Sequence, residues 1–188
     1  MRPLSRKRMR NRNNKSEAKP KAVSAENSDL ALQQVLLRVG QLNYTWTNTE
    51  SLLIHFIAGL AGVTKDVAVV IFLTLNTTRA RVDLVNRLAK MPQTPDDQHT
   101  EVLALTSALL REGALRNKYN HCIYSFDPDD GKVQTILMRI QDRKHDIRMG
   151  KKQAVDTQET ESIQQCIGRL QDLNRRFWAF IHKYSYPA

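Results

Sequence analysis

Residues 101–140 read EVLALTSALLREGALRNKYNHCIYSFDPDDGKVQTILMRI, and the fold turns on the change of period inside them. Up to Asn120 the apolar positions recur at helical spacing, which predicts a helix over Asp96–Asn120, interrupted by Gly113. From His121 the pattern alternates. HCIYSFD, then PDDG, then KVQTILMRI predict two antiparallel strands around a turn. Asp127, Asp129 and Asp130 lack the spacing and closing glutamate of a calcium loop. Turn chemistry with Gly131 at positive φ accounts for them better. The polar span from Gln141 to Val155 fits a third short strand or a mobile loop.

Helical spacing returns on both sides. A last helix is predicted from Asp156, with Glu159 as a capping-box partner and a stripe through Ile163, Ile167, Leu170, Leu173, Phe177, Phe180 and Ile181. Towards the N-terminus, a first helix is predicted from Ser28 to Leu60, with Gly40 as a bend or close-approach point and Gly59 and Gly62 as stop signals. A second is predicted from Thr64 to Met91, buried nearly all round in its VAVVIFLTL half and amphipathic at Val82, Val85 and Leu88, before Pro92 and Pro95 break the chain. The expected fold is all-α dominated. It is a four-helix bundle over 25–188 with a small antiparallel β-hairpin insert at about 122–155, before the last helix.

The formal net charge is +10 over 188 residues, but it is unevenly placed. Residues 1–21 hold nine Lys or Arg against Glu17 alone, so the rest of the chain is nearly neutral. Residues 1–24 read as a disordered basic tail, too polar to offset the entropy of ordering. Its Arg6, Lys7, Arg8, Arg10 and Arg12 suit a phosphate backbone or an anionic partner, or serve only as a solubilising tail. No signal peptide or membrane span is expected, and the two cysteines, Cys122 and Cys166, suggest a reducing, cytoplasmic compartment. Neither metal-ligand spacing nor a phosphate-cradling glycine loop occurs, so no metal or cofactor is expected.

Chemistry concentrates in Arg116-Asn117-Lys118-Tyr119-Asn120-His121, at the end of a helix, where a rigid element aims groups at a loop. A histidine moves protons near neutral pH, and an arginine binds phosphate and the charge developing on it. On an ideal helix Arg116 and His121 stand about 140° apart. They converge only if the helix distorts at its end or two subunits meet. The structural alternative pairs Arg116 with Glu112, places Tyr119 in the core and leaves His121 as a helix C-cap. Glu50, four residues after Trp46, either pairs with Arg116 or an arginine of the second helix, or edges the apolar stripe and faces water. Trp46 itself belongs to the apolar set. Cys122 reads as a small hydrophobe at the strand start.

The segment RNKYNH resembles the R-x4–6-H signature of the HEPN superfamily, including its form with asparagine directly after arginine. The bundle order and the signature's place near the end of the third helix are similar too, over roughly residues 28–125 plus the last helix. So is a tryptophan followed by a glutamate on the first helix, as in small bacterial HEPN-like proteins. The resemblance implies a metal-independent endoribonuclease acting on single-stranded RNA, in a toxin–antitoxin or defence system. It implies Arg116 and His121 as catalytic and Asn117 as a supporting member of that site, with Glu50, Tyr119 and Asn120 around them, in a cleft at a symmetric homodimer interface. The aromatic end of the last helix, from Phe177 through Trp178 to Ile181, is an expected part of that interface. Two other functions fit the residues. One is a non-catalytic nucleic-acid-binding module using the tail with Arg79, Arg81 and Arg87. The other is a regulatory protein that dimerises or holds a protein partner.

Overall fold

The computed structural model describes residues 25–127, 132–138, 140–148 and 150–188. The expected 1–24 tail, its five candidate phosphate-binding residues and the Gly131 turn lie outside them. Among the described residues, six helices and five strands follow in the order α1 (Ala25–Glu50), α2 (Leu53–Ala61), α3 (Lys65–Thr74), α4 (Thr78–Leu88), α5 (Asp96–Asn120), β1 (Cys122–Phe126), β2 (Val133–Leu137), β3 (Gln141–Arg143), β4 (Asp146–Arg148), β5 (Lys151–Ala154) and α6 (Thr157–Lys183). The fold is mainly helical with a small antiparallel insert before the last helix, as expected.

The four expected helices become six because two of them break. The first breaks at Ser51–Leu52. Ser51 Oγ donates to the Asn48 carbonyl and Thr49 Oγ1 to the Thr45 carbonyl, and the next backbone bonds tighten to three-residue spacing, His55 N to Leu52 O among them. Hydroxyls that compete for helical carbonyls bend the chain. The second breaks at Leu75–Asn76–Thr77. Leu75 turns extended, and Thr77 restarts the helix as an N-cap whose side chain accepts from Ala80 N at 3.1 Å. The signal was present as Asn-Thr-Thr, a cap sequence inside an otherwise apolar and basic run.

The core is built by α1, α5 and α6 packed along one another, with α4 packed on both α5 and α2. Hydrogen bonds from Arg38 to Gln164 and from Thr49 to the Leu170 carbonyl show α1 and α6 running parallel. The Arg169–Glu112 and Lys183–Glu101 pairs show α5 running antiparallel to α6. Trp46, Leu42, Leu105, Leu109, Ile163 and Leu170 are buried between them. Val82 and Val85 are buried as expected. The VAVVIFLTL run is not. Only Ala68 and Phe72 of α3 are buried, while Val67, Val70 and Leu73 are exposed, because α3 packs chiefly on α2.

Most of the aromatic end of α6 turns inward. Phe177, Phe180 and Ile181 are buried within the chain's own core, Phe56 stacks on Phe180 at 4.6 Å, and Tyr186 closes the cluster edge-on with its hydroxyl accepting from Gln98 Nε2 at 2.6 Å. Those three α6 side chains are covered and offer no argument for an interface, while Trp178 is half-buried, stacked on His182. In the insert, β1 pairs with β2 in the register Cys122↔Leu137 to Phe126↔Val133, and β5 adds to the other edge of β2. β3 and β4 form a small hairpin of their own. Asp156 caps α6 by accepting from Glu159 N at 2.8 Å. The Glu159 carboxylate, however, does not close a capping box, because stronger partners on α5 take it.

Two glycines test this packing in opposite directions. A Cβ on Gly40 meets nothing within 4 Å, so this site is neither a close approach nor a crowded bend, whereas a Cβ on Gly113 would stand 2.9 Å from Trp46 Cη2. Gly40→Ala is expected to raise stability by about 0.5–1 kcal/mol, the helical cost of glycine. Gly113→Ala is expected to lower it by about 1–3 kcal/mol through overpacking against a buried indole. Urea midpoints measure both. Equal shifts of one sign would contradict the packing.

Candidate functional site

The helix break before α4 and the helix end at His121 face one another across a groove of about 960 Å³. Thr77, Thr78, Arg79 and Arg81 form one wall, Arg116, Asn117, Lys118 and His121 the other, and Leu137 of β2 with the following Met138 lines it as well. Arg116 and His121 thus reach the same groove within one copy of the chain. They do so because the helix gives way at its last residue. His121 is the C-cap, at φ −110° and ψ 17°, and its carbonyl accepts from Met138 N at 2.8 Å, in the ladder of the β1–β2 pair.

The side chains differ in how they are held. Arg116 is half-buried, with its guanidinium 5.7 Å from the centre of the Trp46 ring and Nη1 donating to Asn117 Oδ1 at 3.1 Å. With the amide orientation assigned from its hydrogen-bond partners, the Asn120 oxygen accepts from Arg116 Nε at 2.9 Å and its nitrogen donates to Asn43 Oδ1 at 2.7 Å. Asn120 therefore ties the arginine to α1. Glu112 is not the partner of Arg116. It takes a two-pronged bond from Arg169, at 2.8 and 2.9 Å. Asn117 and His121 are exposed.

Glu50 does not face water. It is buried, its Oε2 accepting from Trp46 Nε1 at 3.1 Å and its Oε1 from Thr78 Oγ1 at 2.6 Å and Arg81 Nη1 at 3.0 Å. Of the arginines open to it, the carboxylate takes Arg81 on α4 and not Arg116. Arg81 is further held by the Phe72 carbonyl at 3.1 Å and lies 4.0 Å over the Phe72 ring. It is a pin more than a free ligand-binding group. Arg79, in contrast, is exposed and pairs only with Asp83 four residues on, a pair worth about 0–1 kcal/mol and readily exchanged. Arg87 does not line the groove.

Tyr119 lies under the site in the core. Its hydroxyl donates to Glu159, as does Lys118 Nζ at 2.8 Å, and Gln153 of β5 bonds the same carboxylate. Burial alone would raise the Glu159 pKa. The hydrogen bonds from Lys118 and Tyr119 and the lysine's charge outweigh it and hold the carboxyl below its usual value. Burial, with Glu159 beside it, pushes the Tyr119 phenol far upward. Burial pushes the Cys122 thiol up, and raises Cys166 to about 12 beside Glu112, so neither is poised as a nucleophile.

Sequence reasoning missed Thr77, Thr78, Lys118 and Asn43. The first two were legible as a cap. The others gain meaning only from partners 41 residues away, as in Lys118–Glu159, or on another helix. Among the described residues no group of three or more His, Cys, Asp or Glu is gathered to hold a metal ion, and no helix is long and apolar enough to cross a membrane.

No protein-family model, curated protein or solved structure matches this chain.

Glu50→Ala should cost about 3 kcal/mol, because it strands Arg81 in a largely buried position. Urea denaturation of the single variant and of the Glu50→Ala/Arg81→Ala double variant tests it. Additive losses would mean that the pair is not coupled. Glu159 sets an acid limb. Its folded pKa lies below its unfolded one, so its contribution is present above about pH 4.5 and is lost as pH falls through the folded value. Stability measured from pH 7 to pH 3 should fall less steeply in Glu159→Gln than in the wild type. Parallel curves would refute the assignment.

Proposed function

We propose that this protein is a metal-independent endoribonuclease of the HEPN type, acting on single-stranded RNA in the cytoplasm as a symmetric homodimer. One observation carries the reading: Arg116, Asn117 and His121 share a groove with Arg79 and the capped start of α4. A helix N-terminus and arginines are a setting for phosphate oxygens. Beside a bound phosphodiester, His121 takes the proton of the ribose 2′-OH as its oxygen attacks phosphorus. The bond from phosphorus to the 5′ oxygen breaks, and that oxygen takes a proton from the same histidine of a second copy or from water. The products are a 2′,3′-cyclic phosphate and a 5′-hydroxyl. Arg116 binds the phosphate and the charge gathering on it. Asn117 and Asn120 aim Arg116.

A second reading, binding of nucleic acid without cleavage, is favoured by one feature. Among the described residues no side chain holds the His121 ring, and an acid–base histidine normally needs an orienting partner. Cleavage of a mixed-sequence RNA in chelator separates the two. His121→Ala should slow the chemical step by about 100- to 10,000-fold while the fold and assembly persist. Arg116→Ala should weaken both binding and turnover, and Asn117→Ala should do less. DNA should resist, having no 2′-OH. Binding without cleavage by the wild type would establish the second reading, and equal cleavage by wild type and His121→Ala would rule out this site.

A further inference from the structure

The groove does not end at Lys118. Ala114 and Lys118 line both it and a second depression of about 430 Å³ between α5 and α6. Arg111, Glu112 and Arg169 then line both that depression and a third, of about 400 Å³, which reaches Arg176. From Lys118 back to Ala108 is ten helical residues, or about 15 Å of furrow at 1.5 Å per residue. We infer that this α5–α6 furrow is a track for the phosphate backbone of the same RNA strand that enters the Arg116–His121 groove. The inference rests on the RNA reading of that groove.

Charge is the first support. Arg111 and Arg176 are exposed and, among the described residues, have no ion-pair partner. The two acidic groups in the furrow, Glu112 and Asp172, are outnumbered by Arg111, Lys118, Arg169 and Arg176, and each has a cationic partner. Glu112 is gripped by Arg169, and Asp172 pairs with Arg175 at 3.2 Å. What remains facing solvent is positive. Shape is the second. Ala108, Ala114 and Gly168 lie among its lining residues, beside Leu115 and Leu173, and a Cβ on Gly168 would meet nothing within 4 Å. A backbone can approach such a floor closely. Composition is the third. Among the described residues no aromatic side chain lines the furrow, so bases have no stacking platform from them and the recognised feature is phosphate, without sequence preference.

The test uses the full chain carrying His121→Ala, so that RNA is not consumed, and a fluorescent 12-nucleotide single-stranded RNA titrated at several salt concentrations. Adding Arg111→Gln and Arg176→Gln should weaken binding about tenfold and flatten the log–log salt slope by about 1.4, two contacts at 0.7 each. Gly168→Glu, which fills the floor and adds a negative charge without removing an arginine, should weaken it as well. Lys65→Gln with Lys90→Gln makes the same charge change on exposed residues outside the furrow and should leave the slope as it was. Circular dichroism checks that every variant is folded. If the parent binds RNA but the arginine pair behaves like the lysine pair, the track is wrong and the reading of the main groove stands. If the parent binds no RNA, both fall. If the arginine pair instead abolishes binding of a polyglutamate peptide and leaves RNA binding intact, the furrow serves an acidic protein segment, and the inference is overturned.

Discussion

One buried carboxylate organises the functional end of this molecule. Glu50 sits at the last turn of α1, where a negative charge faces the unfavourable end of the helix dipole. Its position is tolerable because three donors converge on it: the Trp46 indole from its own helix, and Thr78 and Arg81 from the start of α4. The α4 end of the arrangement is favourable on the same grounds, since a carboxylate beside a helix N-terminus is stabilised there. Removing either side leaves a desolvated group without its partner, so the two helices are locked in position more by the cost of separation than by the gain of pairing. The wall of the groove carrying Arg79 and Thr77 therefore stands on Glu50.

The opposite wall depends on a second carboxylate. Glu159 collects Lys118 and Tyr119 from the end of α5 and Gln153 from β5 while its own backbone is capped by Asp156. Helix end, sheet edge and the first turn of α6 are thereby joined at one point. These bonds hold the end of α5 where β1 begins. The Tyr124 hydroxyl adds to the junction by donating to the Tyr119 carbonyl at 3.2 Å, satisfying one of the helix's last free acceptors.

The basic residues divide accordingly into those that hold the fold and those that remain available. Arg81 and Arg169 are committed to Glu50 and Glu112. Arg79, Arg111 and Arg176 extend into solvent with weak tethers or none among the described residues, and Arg116 is intermediate, aimed by Asn117 and Asn120 over the Trp46 ring. A chain whose folded body is nearly neutral can still leave individual arginines open to solvent, because Glu50, Glu112 and Glu159 are each held by partners of the fold. Total charge conceals this arrangement. Only the pairing of individual residues reveals it.

The sequence by itself determined the helical class, the helices over Asp96–Asn120 and from Thr157, the β1–β2 pairing and the burial of Trp46, Val82 and Val85. These follow from period and local chemistry, which a chain carries in any conformation. It also marked Arg116, Asn117 and His121 as the residues to watch. The breaks at Ser51–Leu52 and Leu75–Thr77 were written in hydroxyl and cap residues, but an apolar stripe running through them outweighed that signal. Only the tertiary structure decided that Glu50 turns inward to Arg81, that Glu112 belongs to Arg169, that Glu159 leaves its capping box for Lys118 and Tyr119, and that Phe177, Phe180 and Ile181 are consumed in the chain's own core. Each is a choice among partners of similar chemistry on distant segments. The energy that separates them is desolvation and geometry at the packed interface, which does not exist until the helices meet.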